Sequence, residues 1–177
     1  MIVPFQDCTY AGLTENEDNE LQALTVWVAL TKVTTKSGCM KFLPGTHATQ
    51  LPHVVTNGSS NMLAFGQTIP AELLTLDTAI DVTLDPGEFS IHHFRLAHCS
   101  GPNADSDRRI GFAIRYVATH VRKSGTVREL ATLVRGQDEF GHFDLEPVPL
   151  AEMDEAAIRA HKEAMSREDA NYFEGRK

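Results

Sequence analysis

Residues 86–117 read PGEFSIHHFRLAHCSGPNADSDRRIGFAIRYV. Alternating apolar and polar residues make Phe89–His98 a strand, the Ser/Pro/Asn/Asp-rich segment after it a loop, and Arg109–Val117 a second strand. His98 closes the first strand and Arg109 opens the second. A histidine and an arginine so placed can hold a metal with one group and an anionic co-substrate with the other. With period two, Ser90, His92, Phe94, Leu96, His98 and Ser100 share one face. Two imidazoles and a hydroxyl on a buried face are costly unless partners or a metal satisfy them, whereas an isolated mid-chain histidine is mostly structural. In the second strand Ile110, Phe112, Ile114 and Tyr116 take one face and Arg109, Gly111, Ala113 and Arg115 the other. Gly111 and Ala113 leave open space beside the Arg109 guanidinium, whose planar fork suits a carboxylate. Arg108 points the other way in a regular strand.

Outward from this stretch, more short strands are expected. Leu24–Leu30 carries large apolar residues on one face and Thr25, Trp27 and Ala29 on the other. Cys39–Leu43 ends at Pro44-Gly45, residues 79–84 alternate, and a further strand lies around Ala131–Val134. A short helical turn is expected around Pro70–Leu74, and loops at 14–20 (TENEDNE) and 44–60. Met153, Ala157, Ile158, His161, Ala164 and Met165 recur at steps of three and four, giving an amphipathic helix over Asp154–Phe173 with Asp154 as N-cap. Short strands with Gly/Pro turns and a terminal helix indicate a mainly β sandwich or barrel. One domain is expected over residues 1–177, with the β core in 1–135 and the helix within 150–175.

Composition narrows the function. The 24 acidic residues against 16 basic ones give a net charge of −8, which disfavours nucleic acid and anionic membrane as partners. No apolar run approaches the ~20 residues of a membrane span, and the start MIVPFQDCTY lacks a signal peptide's regions. The expectation is a soluble, cytoplasmic protein. Cys8, Cys39 and Cys99 form no CxxC pair and read as reduced, buried thiols.

Phe5-Gln6-Asp7 supplies a carboxylate near the start; taken alone, Asp7 reads as a solvated loop residue or cap. Three blocks, VPFQDCTYAGL, LTVWVALTKVTTKSGCMKFLPGTH and the stretch quoted first, resemble the phytanoyl-CoA dioxygenase (PhyH-like) family of iron(II)/2-oxoglutarate oxygenases over roughly residues 3–117. The resemblance implies a double-stranded β-helix, or jelly-roll, core. It also implies iron held by a two-His-one-carboxylate set, with 2-oxoglutarate as co-substrate decarboxylated to succinate while a small organic substrate is hydroxylated. Asp7 and His98 match iron ligands, Arg109 the arginine that grips the far carboxylate, and Ser100 and Trp27 positions that seat the same molecule. Asn103 matches a structural loop position.

One ligand departs from the pattern. Where the family writes His-Gln-Asp, this chain has Phe5, which has no lone pair for a metal; the residues leave open whether another histidine, such as His92, takes its place. The motif also begins at residue 5, so the chain resembles a shortened family member whose substrate wall another copy could complete as a homo-oligomer. The alternative reading is a catalytically impaired or non-catalytic relative. His47 is expected to stabilise a loop. His53, His120, His142 and His161 are expected in surface or loop roles, and Arg115, Arg122, Lys123 and Arg128 on a solvated face.

Overall fold

The regular structure of the described residues comprises ten strands and two α-helices, with 3-10 turns between them. In chain order the strands are β1 (Ala23–Ala29), β2 (Met40–Phe42), β3 (Val54–Val55), β4 (Gln67–Thr68), β5 (Ile80–Val82), β6 (Phe89–His93), β7 (His98–Ser100), β8 (Gly111–Val117), β9 (Leu130–Ala131) and β10 (Asp144–Leu145). The helices are α1 (Cys8–Ala11) and α2 (Glu155–Tyr172). The computed structural model describes residues 3–14, 20–55 and 66–172. Most of the TENEDNE loop, the end of the loop-like 44–60 segment and the start of the Asn61–Leu76 stretch lie outside them. Contacts divide the chain into two units, one of residues up to Thr9 with Ala23–Tyr116, the other of Tyr10–Gln22 with the chain from Val117 onward.

The first unit holds two three-stranded sheets, ordered β6-β1-β8 and β5-β2-β7. Taken along the chain, the strands pass back and forth between the two sheets, which is the topology of a double-stranded β-helix. β1 pairs antiparallel with β6 in the register Thr25↔His92 and Trp27↔Ser90. β2 lies between its antiparallel neighbours β5 and β7, with Phe42 opposite His98 and Met40 opposite Ser100. Among the described residues two apolar clusters lie in this unit. Ala29, Val33 and Cys39 pack with Trp27 and Leu84; Leu43, Ile69 and Ala97 pack with Leu51, Leu74 and Ala79. Among the described residues Cys8, Cys39 and Cys99 are buried thiols outside any disulfide, and burial pushes the Cys99 thiol up to about 11.

Phe89–His98 is not one strand. The chain turns at Phe94-Arg95, where the Leu96 amide donates to the His93 carbonyl (2.9 Å), so β6 joins one sheet and β7 the other. Phe94 and Ala97 are among the most buried residues: this corner is packed inside, and the apolar residues that looked like the middle of a strand are its filling. Period two therefore fails between His93 and His98. Arg109 lies just before β8 rather than inside it. The β3–β4 ribbon, α1 and β10 come from stretches without a strong pattern. The turn expected around Pro70–Leu74 is a 3-10 turn at Ala71–Leu73.

In the second unit β9 and β10 pair in parallel. Asp154 caps α2 as expected, its Oδ1 accepting the Ala156 amide (3.1 Å). Asn171 closes the helix end against the Val127 backbone, donating to its carbonyl (2.6 Å) and accepting from its amide (3.0 Å). Among the described residues no helix is long and apolar enough to cross a membrane.

Candidate metal and co-substrate site

Asp7 reaches the interior because Gln6 anchors the segment. The Gln6 side chain is fully buried. Its Nε2 donates to the carbonyls of Thr46 (3.2 Å), Thr49 (3.0 Å) and Arg95 (2.5 Å), and its Oε1 accepts from the Leu51 amide (2.8 Å). The Phe5 amide and carbonyl pair with the His98 backbone, both at 3.0 Å. On the other side the Cys8 amide donates to the Phe94 carbonyl (3.2 Å), and a segment tied on both sides of residue 7 has one place to put its carboxylate. Asp7 is 4% exposed, and Thr25 Oγ1 donates to its Oδ2 (2.8 Å).

Two imidazoles face that carboxylate from different sheets. His92 Nε2 lies 3.6 Å from Asp7 Oδ2 and His98 Nε2 lies 3.7 Å from Oδ1. One ligand atom from each of the three buried residues lies within 4.8 Å of the others, so the group can hold a divalent cation. His98 Nδ1 lies 2.9 Å from the Leu96 carbonyl; a ring N–H donated there fixes the tautomer and leaves Nε2 with a lone pair, the usual arrangement of a metal-binding imidazole. Burial lowers the His98 pKa below the ordinary histidine value, against the opposing pull of Asp7. Phe5 lies against His98 with ring centroids 4.4 Å apart, and Phe42 against His92 at 4.8 Å. Aromatic rings flank the polar cluster on both sides.

The other three expected residues also come together. Arg109 Nη1 donates to the Gly38 carbonyl (2.5 Å) and to Ser100 Oγ (3.1 Å), and its guanidinium carbon sits 5.7 Å from the Trp27 ring centroid. Ser100 and His98 are two positions apart on β7, so their side chains share a face about 6.6 Å apart. The Asp7–His92–His98 cluster and the arginine group are thus joined through one strand. The space beside Gly111 is not open: a Cβ there would fall 1.9 Å from Trp27 Cζ2. The glycine makes room for the indole, and the indole rather than a void lies next to Arg109. Gly38 has φ +72°, and a Cβ on it would lie 2.6 Å from the Gly101 carbonyl, which keeps that backbone close and its own carbonyl available to the guanidinium.

Thr25, Gln6 and His53 carry roles that no spacing announced. Thr25 was legible as lying on the less apolar face of its strand, and that face is the one that meets Asp7. His53 is a loop residue as expected, with a specific task. Its Nδ1 lies 2.8 Å from the Leu51 carbonyl and its Nε2 accepts the Gln6 amide (3.1 Å). Burial lowers its pKa below the ordinary histidine value, and protonation would remove the acceptor. A pKa lower folded than unfolded means the unfolded chain binds more protons, so this contribution is complete above about pH 6.5 and is lost as pH falls toward the folded value. We expect His53→Asn to flatten the loss of melting temperature between pH 7 and pH 5; an unchanged profile removes His53 from that role. Asn103 is structural, donating to the Asp107 carbonyl (2.8 Å) and accepting from the Asp105 amide (2.8 Å).

Comparison with known proteins places this geometry. The model of the family described as phytanoyl-CoA dioxygenase (PhyH) matches residues 3–111. Among solved structures, apo ThoJ, a non-heme monooxygenase, is 34% identical with a TM-score of 0.80; the match covers 96% of this chain and 59% of ThoJ. The ThoJ–nickel complex is 32% identical with a TM-score of 0.71, covering 95% and 57%. EvdO2 from Micromonospora carbonacea var. aurantiaca is 26% identical with a TM-score of 0.53, covering 64% and 44%. The chain spans less than two thirds of each. None of the curated proteins matches it.

Proposed function

This chain belongs to the phytanoyl-CoA dioxygenase (PhyH) family, and from that premise we propose that it is an iron(II)- and 2-oxoglutarate-dependent oxygenase that hydroxylates a small organic molecule. The observation that carries the reading is a buried carboxylate and imidazole, Asp7 and His98, set one strand step from a guanidinium held by Ser100 and Gly38. The donor set fits iron(II), which takes imidazole and carboxylate ligands together. Ser90 Oγ and both His92 ring nitrogens are buried without a hydrogen-bond partner among the described residues, as in a cavity lined for something polar.

In this reading Asp7 and His98 hold the metal, and Arg109 binds the distal carboxylate of 2-oxoglutarate, with Ser100 and Gly38 fixing the guanidinium and Trp27 backing it. Iron(II) and 2-oxoglutarate together supply the activation of dioxygen, the keto acid leaving as succinate and carbon dioxide. Phe5 and Phe42 exclude water from the metal side. Residues 3–111 contain every group named, and the substrate contacts are left to loops.

The test is anaerobic loading with iron(II) and 2-oxoglutarate, followed by air. Succinate release that requires both iron and the folded chain is the expected result. Tight metal and 2-oxoglutarate binding with no succinate, across a panel of small-molecule substrates, identifies a non-catalytic relative instead.

A further inference from the structure

We infer that His92 is the third protein ligand of the metal centre, so that a strand histidine does the work for which residue 5 offers only a phenyl ring. This rests on the iron reading above and adds to it a ligand from β6, outside the Phe5-Gln6-Asp7 segment. His92 is 4% exposed, and neither of its ring nitrogens has a hydrogen-bond partner among the described residues. A buried imidazole without a partner is costly. Its Nε2 faces Asp7 Oδ2, but at 3.6 Å it is beyond hydrogen-bond reach, and Thr25 already donates to that oxygen at 2.8 Å.

A plain His–Asp pair does not account for this arrangement. Two imidazoles approach the two oxygens of one carboxylate at nearly equal distances, 3.6 and 3.7 Å, and neither closes to a hydrogen bond. Ligands about 2.1 Å from a shared ion lie about 3.0–3.4 Å apart at octahedral or tetrahedral angles. The two His–Asp separations are wider than that by a few tenths of an ångström, and with one donor atom from each residue within 4.8 Å of the others a bound cation would draw the three inward. Cross-strand pairing places His92 opposite Thr25, so the residue that orients Asp7 and the new ligand share one face of the sheet. Phe42 backs the His92 ring and Phe5 the His98 ring. Residue 5 is therefore part of the apolar wall.

The experiment compares four full-length proteins: wild type, His92→Phe, Phe5→His and the double variant. Each is titrated with Co(II) by calorimetry, with the Co(II) absorption spectrum recorded and folding checked by melting temperature. The inference expects His92→Phe to weaken Co(II) binding by more than about 100-fold, beyond the 10–100-fold typical of an outer-shell partner. It expects the double variant to recover most of that affinity through the histidine placed at residue 5. Co(II) affinity and spectrum unchanged in folded His92→Phe overturn the inference while leaving the iron reading intact. Wild type that binds neither Co(II) nor 2-oxoglutarate overturns both. If His92→Phe does not fold, a nickel-soaked crystal of the wild type decides: an anomalous peak about 2.1 Å from a His92 nitrogen supports the assignment, and a peak bound to Asp7 and His98 alone overturns it.

Discussion

Asp7→Asn is expected to remove divalent-metal binding while leaving the metal-free fold standing. Asparagine has nearly the same shape, and its side-chain oxygen still accepts the Thr25 hydroxyl proton that Asp7 Oδ2 accepts at 2.8 Å. What it removes is the negative charge toward which His92 and His98 both point. A carboxylate that is 4% exposed carries a desolvation cost, and a cation bound between it and the two imidazoles would offset that cost. Calorimetric titration with Ni(II) should show affinity falling by more than about 100-fold, above the outer-shell range. The melting temperature of the metal-free variant should equal or exceed that of wild type. Wild-type Ni(II) affinity in the variant would remove Asp7 from the centre, and a collapsed metal-free fold would make it a structural residue.

Each element of this site was legible to a different depth, for physical reasons. His98, Arg109 and Ser100 were readable because they lie at the ends of segments whose composition marks strand and loop clearly. The convergence of His92 with His98 was also expected, but from a continuous strand. The two residues meet because the chain turns at Phe94-Arg95 and places them in separate sheets, and a corner filled with apolar side chains has the same local pattern as a strand. Periodicity assigned Leu24–Leu30 two faces without saying which lies inside. The more apolar face, continued across the sheet by Phe89 and Ile91, is exposed at 57% and 58% at those two residues. The face with Thr25 and Trp27 is turned to the site. Hydrophobicity ranks faces by transfer energy, and it misleads where polar side chains such as Thr25 and His92 are the buried ones. The Gln6 and His53 anchors could not be read at all, since they depend on loop carbonyls and an amide brought together only by the fold.

Arg109→Gln is expected to separate co-substrate binding from metal binding. Among the described residues, both hydrogen bonds of the guanidinium run through Nη1, to the Gly38 carbonyl and Ser100 Oγ, so Nη2 and Nε keep their donors for a carboxylate. Burial lowers the Arg109 pKa from its ordinary value, but an arginine stays charged in any protein setting, and a half-buried charge of this kind gains most from an anionic ligand. Glutamine keeps one donor and loses the charge and the fork. Truncating one partner of a buried, hydrogen-bonded charge pair costs about 2–4 kcal/mol, or roughly 30- to 700-fold in Kd. Titrating 2-oxoglutarate into Ni(II)-loaded protein should show that loss, with Ni(II) affinity near that of wild type because the metal ligands are untouched. Arg109→Lys should recover only part of it, since an ammonium restores the charge without the planar fork that Trp27 backs. If Arg109→Gln binds 2-oxoglutarate as wild type does, the distal carboxylate is held elsewhere. The Ser100–Gly38–Trp27 setting would then only anchor the strand, through the carbonyl of a glycine whose backbone is already pressed against Gly101.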